Sequence, residues 1–328
     1  MFIRVLVIVG FGIALAAALT LAREPKPAAP LLPVVIAVGK QPLSALIYVA
    51  LERGYFRDEG LAVELRSFSS GRDAFAALER PEVDLATVGE MPFISALRQG
   101  KRLATVATIE SSDRNNFIVA RSDRGISRAR DLIGSRIGIV PGTSSEVFLN
   151  AFLITHGIPL DKVERVHLRP NELKSSLAEG RVDAVSVWAL DAALLRKQLG
   201  KLARQFDEEG LYIHNWMLAG RTDTISQKRD LMVGVLRALV RAEDDVSDRP
   251  EHAIPVVART LGVDADVLSV VWSQYHFNVG LHQYLLINLE NHARMIRRHD
   301  YERELNFFTA LWLEPLIAID PARVTAIH

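Results

Sequence analysis

Gly142-Thr143-Ser144-Ser145-Glu146 places three hydroxyls at the start of an apolar helical run. The free N–H groups and the dipole of a helix start attract an anion, and small hydroxyls add donors. Thr143-x-x-Glu146 is also a capping box that needs no ligand, and Glu146 offsets part of any pull on an anion. Lys40-Gln41-Pro42 forms a second loop of this kind. There Lys40 is either an anion partner or a solvated cation, and Gln41 can donate or accept. Gly89-Glu90-Met91-Pro92 lies between a strand and a helix. Glu90 is then either a cleft carboxylate that accepts from an amine or N–H group, or an acidic residue at a helix start. Trp188 ends an apolar strand, where its indole is either a ligand wall with one donor or a core aromatic. Asp191, three residues on, either meets a ligand or serves the start of the following helix. Ser70, Ser111 and Ser112 are small polar residues on loops or crossings. His214 and Asn215 precede a return crossing and are candidates for a hinge lining.

Other chemistries are excluded by residue type. The chain of 328 residues has no cysteine, so disulfides, thiolate metal sites, a thiol nucleophile and a lipid-modified N-terminal cysteine are absent. Its nine histidines include no HExxH pair, and His292 and His299 are two helical turns apart, too far for one ion, so no metal and no cofactor is expected. No nucleophile elbow, Walker loop or dinucleotide fingerprint stands in context. Lys+Arg and Asp+Glu are 39 each, and zero net charge argues against a nucleic-acid partner.

These residues need elements to hold them. Short apolar runs at Val34–Val38, Leu61–Leu65, Val83–Val88 and Leu103–Ile109 alternate with helical patterns at Leu43–Arg53, Arg72–Glu79 and Pro92–Arg98. That order predicts an α/β domain with a largely parallel sheet. The pattern recurs in strands at Phe117–Ala120, Arg136–Val140, Val163–Leu168 and Val182–Val187, with helices at Ser144–His156, Glu172–Glu179 and Ala189–Leu199. From Ser226 the chain reads as helical: Lys228–Asp244, His252–Leu261, Ala265–Tyr275, Tyr284–Arg298 and Glu302–Trp312, with Trp272, Tyr275, Phe307, Phe308 and Trp312 as its aromatic core.

The two halves repeat each other. At an offset of 99, Leu78, Val83, Asp84, Thr87 and Val88 meet Leu177, Val182, Asp183, Ser186 and Val187. At an offset of 103, Gly39 and Gly54 meet Gly142 and Gly157. Two like lobes enclose a cleft beyond the carboxyl ends of their strands, where open α/β sheets bind ligands. The repeat names its loops: Gly39–Pro42 with Gly142–Ser145, Ser69–Gly71 with Arg169–Asn171, and Gly89–Met91 with Trp188–Asp191. Polar Ser111–Asn116 and the stretch Asn215–Gly220 read as the two crossings. The resulting division is 34–112 with 217–328 as lobe I, 117–214 as lobe II, and crossings near 113–116 and 215–216.

Upstream, Arg4 precedes 18 uncharged, mostly apolar residues, Val5–Ala22, and a Pro/Ala-rich linker covers 23–33. A basic start before an apolar stretch predicts export, with 1–22 either a cleaved signal peptide or an uncleaved N-terminal anchor.

Gly54-Tyr55-Phe56-Arg57-Asp58-Glu59-Gly60-Leu61, Val83-Asp84-Leu85-Ala86 with Gly89-Glu90-Met91-Pro92, Asp131-Leu132-Ile133-Gly134-Ser135-Arg136-Ile137-Gly138 with Pro141–Ser145, and Gly180-Arg181-Val182-Asp183-Ala184 with Trp188 occur in this order. Together they resemble the nitrate/sulfonate/taurine-type periplasmic substrate-binding proteins of ABC importers, a family that also includes pyrimidine-precursor binders. The resemblance implies a two-lobed periplasmic-binding-protein fold with a hinged cleft, mostly parallel sheets and a helical C-terminal part. It implies a monomeric, extracytoplasmic protein that closes on a small organic solute and delivers it to an ABC permease with its ATPase. The ligand would be a sulfonate, an amino-sulfonate or a nitrogen heterocycle. Gln41, Ser70, Glu90, Thr143, Ser144, Ser145, Trp188 and Asp191 are the expected ligand residues. Two alternatives stay open on the same fold: a tethered ligand sensor and a pyrimidine-synthesis-type enzyme.

Overall fold

The computed structural model describes residues 30–295 and 305–327. The expected signal or anchor at 1–22 and the linker up to residue 29 lie outside the described residues. So do the end of the helix expected at Tyr284–Arg298 and the start of that at Glu302–Trp312. Among the described residues no helix is long and apolar enough to cross a membrane.

The first lobe runs β1 (Leu32–Gly39), α1 (Ala45–Glu52), α2 (Tyr55–Asp58), β2 (Leu61–Phe68), α3 (Gly71–Ala76), β3 (Leu85–Val88), α4 (Glu90–Arg98) and β4 (Leu103–Ser112). The second runs β5 (Asn116–Arg121), β6 (Arg136–Ile139), α5 (Ser144–Thr155), β7 (Glu164–His167), α6 (Leu173–Ala178), β8 (Ala184–Trp188), α7 (Ala189–Leu199) and β9 (Ala203–Phe206). The chain then returns as β10 (His214–Arg221). It continues through α8 (Thr222–Gln227), α9 (Arg229–Asp248), α10 (Pro250–Leu261), α11 (Ala265–Trp272), α12 (Gln283–Met295) and α13 (Glu314–Ile319).

The strand orders are β2-β1-β3-β10-β4 and β7-β6-β8-β5-β9. In each sheet a single strand opposes the others: β10 is antiparallel to β3 and β4, and β5 to β8 and β9. Both are the first strands after a crossing. They enter their sheets from the cleft side, where the parallel strands end, and so run the other way. The sheets are thus mixed in pairing, although most strands share one direction.

The repeat has a structural counterpart. Asp84 Oδ2 accepts from Val35 N, and Asp183 Oδ2 accepts from Arg136 N, both at 2.9 Å. The same two aspartates donate their own N–H groups to the carbonyls of Val35 and Arg136. Each Val-Asp pair therefore clamps the first parallel strand of its lobe to the third. Within β5 the alternation of a strand buried on both faces sends Phe117 and Val119 to one apolar cluster and Ile118 and Ala120 to another.

Two sequence expectations are corrected. Asn215–Gly220 is not a crossing but part of β10, a strand inside the first sheet, and the return occurs between Phe206 and His214. The polar ends of the segment concealed a run, Trp216–Ala219, that is buried on both sides. Glu302–Trp312 is not an α-helix in its described part. Phe307–Ala310 forms one 3-10 turn, after which Leu311 bridges to Thr105 and Trp312 N donates to Thr105 O at 2.9 Å. The outer edge of β4, the last strand of its sheet, takes the backbone groups a helix would have used. Sequence reading also passed over β9. The C-terminal helices bear on both lobes: α11 packs against α7, and Lys197 Nζ meets Asp264 Oδ2 at 2.5 Å.

Replacing Asp84 or Asp183 by Ala leaves a strand N–H without its acceptor. Each change is expected to lower unfolding free energy by about 1–3 kcal/mol in urea titrations.

Candidate functional site

The carboxyl ends of β1, β3, β6 and β8 meet where the two lobes face each other. A small cavity of about 30 Å³ lies there. Gln41, Ser70, Glu90, Thr143, Ser144 and Trp188, six of the eight expected residues, line it. Ser145 is fully buried beneath them: its hydroxyl accepts from Val140 N and donates to Ser186 O. Asp191 lines an adjoining cavity of about 210 Å³ that shares Gln41 and Trp188 with the first, and it is ion-paired to Lys174. Lys40 lines that second cavity and is exposed.

The start of α5 is capped by the expected residues, but not as the reciprocal capping box of Thr143 and Glu146. Thr143 Oγ1 accepts from Ser145 N at 3.3 Å and donates to Val140 O, and Glu146 Oε2 accepts from Gly142 N at 2.8 Å. Ser144 Oγ accepts the indole N–H of Trp188 at 3.0 Å. The first lobe has a matching pair: Trp216 Nε1 donates to Ser44 Oγ at 3.0 Å, just ahead of α1. An indole from each lobe therefore walls the cavity.

Trp216 and Arg72 were not among the expected site residues. The Trp216 ring lies over two glycines: a Cβ at Gly71 would come within 2.3 Å of it, and one at Gly39 within 3.0 Å. His214 lies against Gly89 in the same way, at 3.2 Å from a Cβ there. The glycines of the three first-lobe loops thus make room for aromatic rings delivered by β10. Arg72 NH1 donates to Pro141 O at 2.7 Å and joins the lobes across the cleft. Among the described residues lining the small cavity, Arg72 is the one side chain of fixed positive charge. It stands in the first turn of α3, where the helix dipole disfavours a cation. That misfit is a sequence signal by which it was legible.

Glu90 faces the hinge. Its Oε1 accepts from Asn215 N and from Asn215 Nδ2 (2.9 Å), and its Oε2 accepts from Tyr212 OH at 3.2 Å. Burial pushes Glu90 up to about 7, against those donated bonds, which pull it down. Glu110, fully buried at the end of β4, has neither carboxylate oxygen hydrogen-bonded. Burial, with Glu90 nearby, raises it well above the usual carboxylate range. His214 Nδ1 is 3.7 Å from Glu110 Oε2. Burial, with His292 nearby, lowers His214 to about 3, and burial lowers His292 to about 4. Burial thus disfavours the charged form of both partners in the His214–Glu110 contact. Ser111 pairs through its backbone with His276, and Ser112 Oγ accepts from Arg114 N at 3.1 Å, so both serve the crossing. Among the described residues no cluster of three or more acidic or histidine side chains is arranged for a metal.

Two predictions test this arrangement. Gly71→Ala is expected to displace the Trp216 ring, seen as a changed near-UV circular dichroism band with a loss of about 1–3 kcal/mol. The raised carboxyls keep their protons in the folded state to higher pH than in the unfolded chain. Their contribution is therefore present at low pH and lost as pH rises, through about 4.5 to 7 for Glu90 and further for Glu110. The lowered histidines act oppositely and cost stability as pH falls below 6.5. Glu110→Gln is expected to melt higher than the unmodified protein at pH 8, with the gain shrinking toward pH 4.5. An equal gain at both pH values would refute the assignment.

Comparison with known proteins places this geometry. The chain is 27% identical over 212 residues to a provisionally named aliphatic sulfonates-binding protein of Bacillus subtilis (strain 168), covering 63% of this chain and 64% of that protein. Among solved structures, the periplasmic aliphatic sulphonate binding protein SsuA from Escherichia coli superposes with a TM-score of 0.72 at 19% identity, covering 87% of this chain and 98% of that one. The desulfurization enzyme DSZB superposes with a TM-score of 0.66 at 18% identity, covering 88% and 100%. The two-lobed fold is therefore shared by binding proteins and by at least one enzyme. Residues 41–253, which hold both crossings and all eight expected ligand residues, match the family described as NMT1/THI5 like, and the chain belongs to that family.

Proposed function

We propose that the protein is an extracytoplasmic solute-binding protein that captures a small organic anion between its lobes and presents it to an ABC permease. The observation that carries this reading is the convergence on one cavity of the Arg72 guanidinium, the start of α5 at Thr143–Ser144 and the indoles of Trp188 and Trp216. A guanidinium fork and helix N–H groups suit an acidic head such as a sulfonate, and flat rings suit an organic body. The sulfonate-binding names of the relatives agree with that chemistry.

The hydroxyls at the cavity support binding over turnover. Ser144 accepts from Trp188, Thr143 donates to Val140 O, and neither hydroxyl is bonded to a base. Ligand binding then works by differential affinity. A solute held by both lobes stabilises the closed form over the open one, and the closed form docks on the membrane partner.

Calorimetric titration with alkanesulfonates is expected to give saturable binding. Small-angle scattering is expected to give a smaller radius of gyration with ligand. Arg72→Ala removes a charge-assisted pair and is expected to weaken affinity about 10- to 100-fold. Unchanged affinity in Arg72→Ala and Trp188→Ala together would remove this site from consideration.

A further inference from the structure

Resting on the binding reading above, we propose that His214 contacts the ligand and that Glu110 behind it is its proton donor: a bound anion draws a proton from Glu110 onto His214, and the imidazolium so formed holds the anion. His214 lines the small cavity, and a Cβ on Gly89, which lines it too, would lie 3.2 Å from His214 Nε2. The other ring nitrogen, Nδ1, faces Glu110 Oε2 at 3.7 Å. Both residues are buried, and neither Nδ1 nor either Glu110 oxygen has a hydrogen-bond partner. Two unpartnered groups of complementary chemistry therefore stand together, one of them at the ligand side. A buried carboxyl with no donor costs stability, and an apolar side chain would fill the place better. What a carboxyl has that such a side chain lacks is a proton to give.

The step starts from the neutral pair, since burial disfavours the charged form of each partner. The O–H bond of Glu110 breaks, an N–H bond forms at Nδ1, and the carboxylate left behind faces the new imidazolium. The Nε2–H then donates to the anion in a charge-assisted bond. No proton enters or leaves the protein. An anion in the cavity favours the imidazolium by Coulomb attraction, which is strong where water is excluded. A neutral solute supplies no such attraction. A standing imidazolium would share the empty cavity with the Arg72 guanidinium, so the second cation forms only with an anion between them. Around the pair stand Glu90 of α4, Tyr212 of the return crossing, Tyr275 after α11, and Tyr284 and His292 of α12. Of these Glu90 alone titrates near neutrality, at about 7.

The test uses the full chain with nitrogen-15 in its histidine rings, at pH 8, and ethanesulfonate as the probe. Binding is expected to convert one ring to the imidazolium, read from the shifts of both ring nitrogens, and this measurement needs no variant. Glu110→Gln keeps the shape and removes the proton. It is expected to bind about ten-fold weaker at pH 8, the difference between a charge-assisted and a neutral hydrogen bond, with the ring left neutral. The gap between the two proteins should narrow as pH falls, because the variant must take its proton from solvent. Calorimetry in buffers of different ionisation enthalpy should then show more proton uptake on binding in the variant than in the unmodified protein. Glu90 is common to both, so the difference excludes its titration. Ethanesulfonate bound with every histidine ring neutral, or equal affinity of the two proteins at every pH, overturns the proton transfer and leaves the anion cavity standing. Failure of the unmodified protein to bind any alkanesulfonate overturns the binding reading and this inference with it.

Discussion

The return crossing is fixed by a single buried carboxylate. Glu90 opens α4, where the helix dipole favours negative charge, and it gathers donors from Asn215 and Tyr212 on the far side of the hinge. With those residues fixed, β10 enters the first sheet in register beside β3 and β4. That register brings His214 against Gly89 and the Trp216 ring over Gly39 and Gly71. The support continues outward, because His292 of α12 stacks on Tyr212 at 4.3 Å with the rings 11° apart. A line of contact thus runs from the C-terminal helices through Tyr212 and Glu90 to the cavity wall. The helical tail of the chain therefore belongs to the hinge as well as to the first lobe, and α11 on α7 adds a second contact with the other lobe.

The two lobes solve one problem with the same parts in different places. Each has an aspartate clamping its first and third parallel strands, and each has an indole donating to a serine at a helix start. The second lobe draws its tryptophan from the end of its own β8. The first draws Trp216 from β10, a strand that exists only because the chain comes back. This difference explains why first-lobe glycines at the cleft lie against rings, whereas a Cβ at Gly142 would meet nothing within 4 Å and its glycine serves a left-handed backbone. The first lobe had to leave room for a ring arriving from elsewhere in the chain.

The fold was largely legible in the sequence because its signals are local. Apolar runs marked eight of the ten strands among the described residues, left-handed glycines such as Gly54 and Gly157 ended helices, and the Val-Asp repeat fixed the strand ends and so the cleft loops. What stayed hidden depends on partners distant in the chain. Glu90 read equally as a ligand carboxylate or a helix-start acid, and only the position of Asn215 and Tyr212, more than a hundred residues on, assigns it to the hinge. Asp191 was likewise ambiguous until Lys174 stood beside it. Trp216 was missed because its strand is flanked by polar residues. Arg72 stayed hidden because a lone arginine in a helical stretch reads as a solvated cation until the Pro141 carbonyl, 69 residues on, stands against it.

The charge balance bears on how closure works. With zero formal net charge, the protein as a whole offers no attractive field for an anion, so local groups must supply the attraction. The Arg72 guanidinium already bridges the lobes through the Pro141 carbonyl. At the proposed site a ligand on Arg72 competes with this carbonyl and with Asp73 Oδ1, 3.7 Å from Nε, and favours closure by what it adds over them. A neutral solute offers the guanidinium another carbonyl-like acceptor and gains little. An acid group offers two charged oxygens to the guanidinium fork, a bidentate ion pair that a single carbonyl cannot match. The self-bridged cleft thereby discriminates by charge, since only a ligand better than the protein's own backbone shifts the equilibrium toward the closed form.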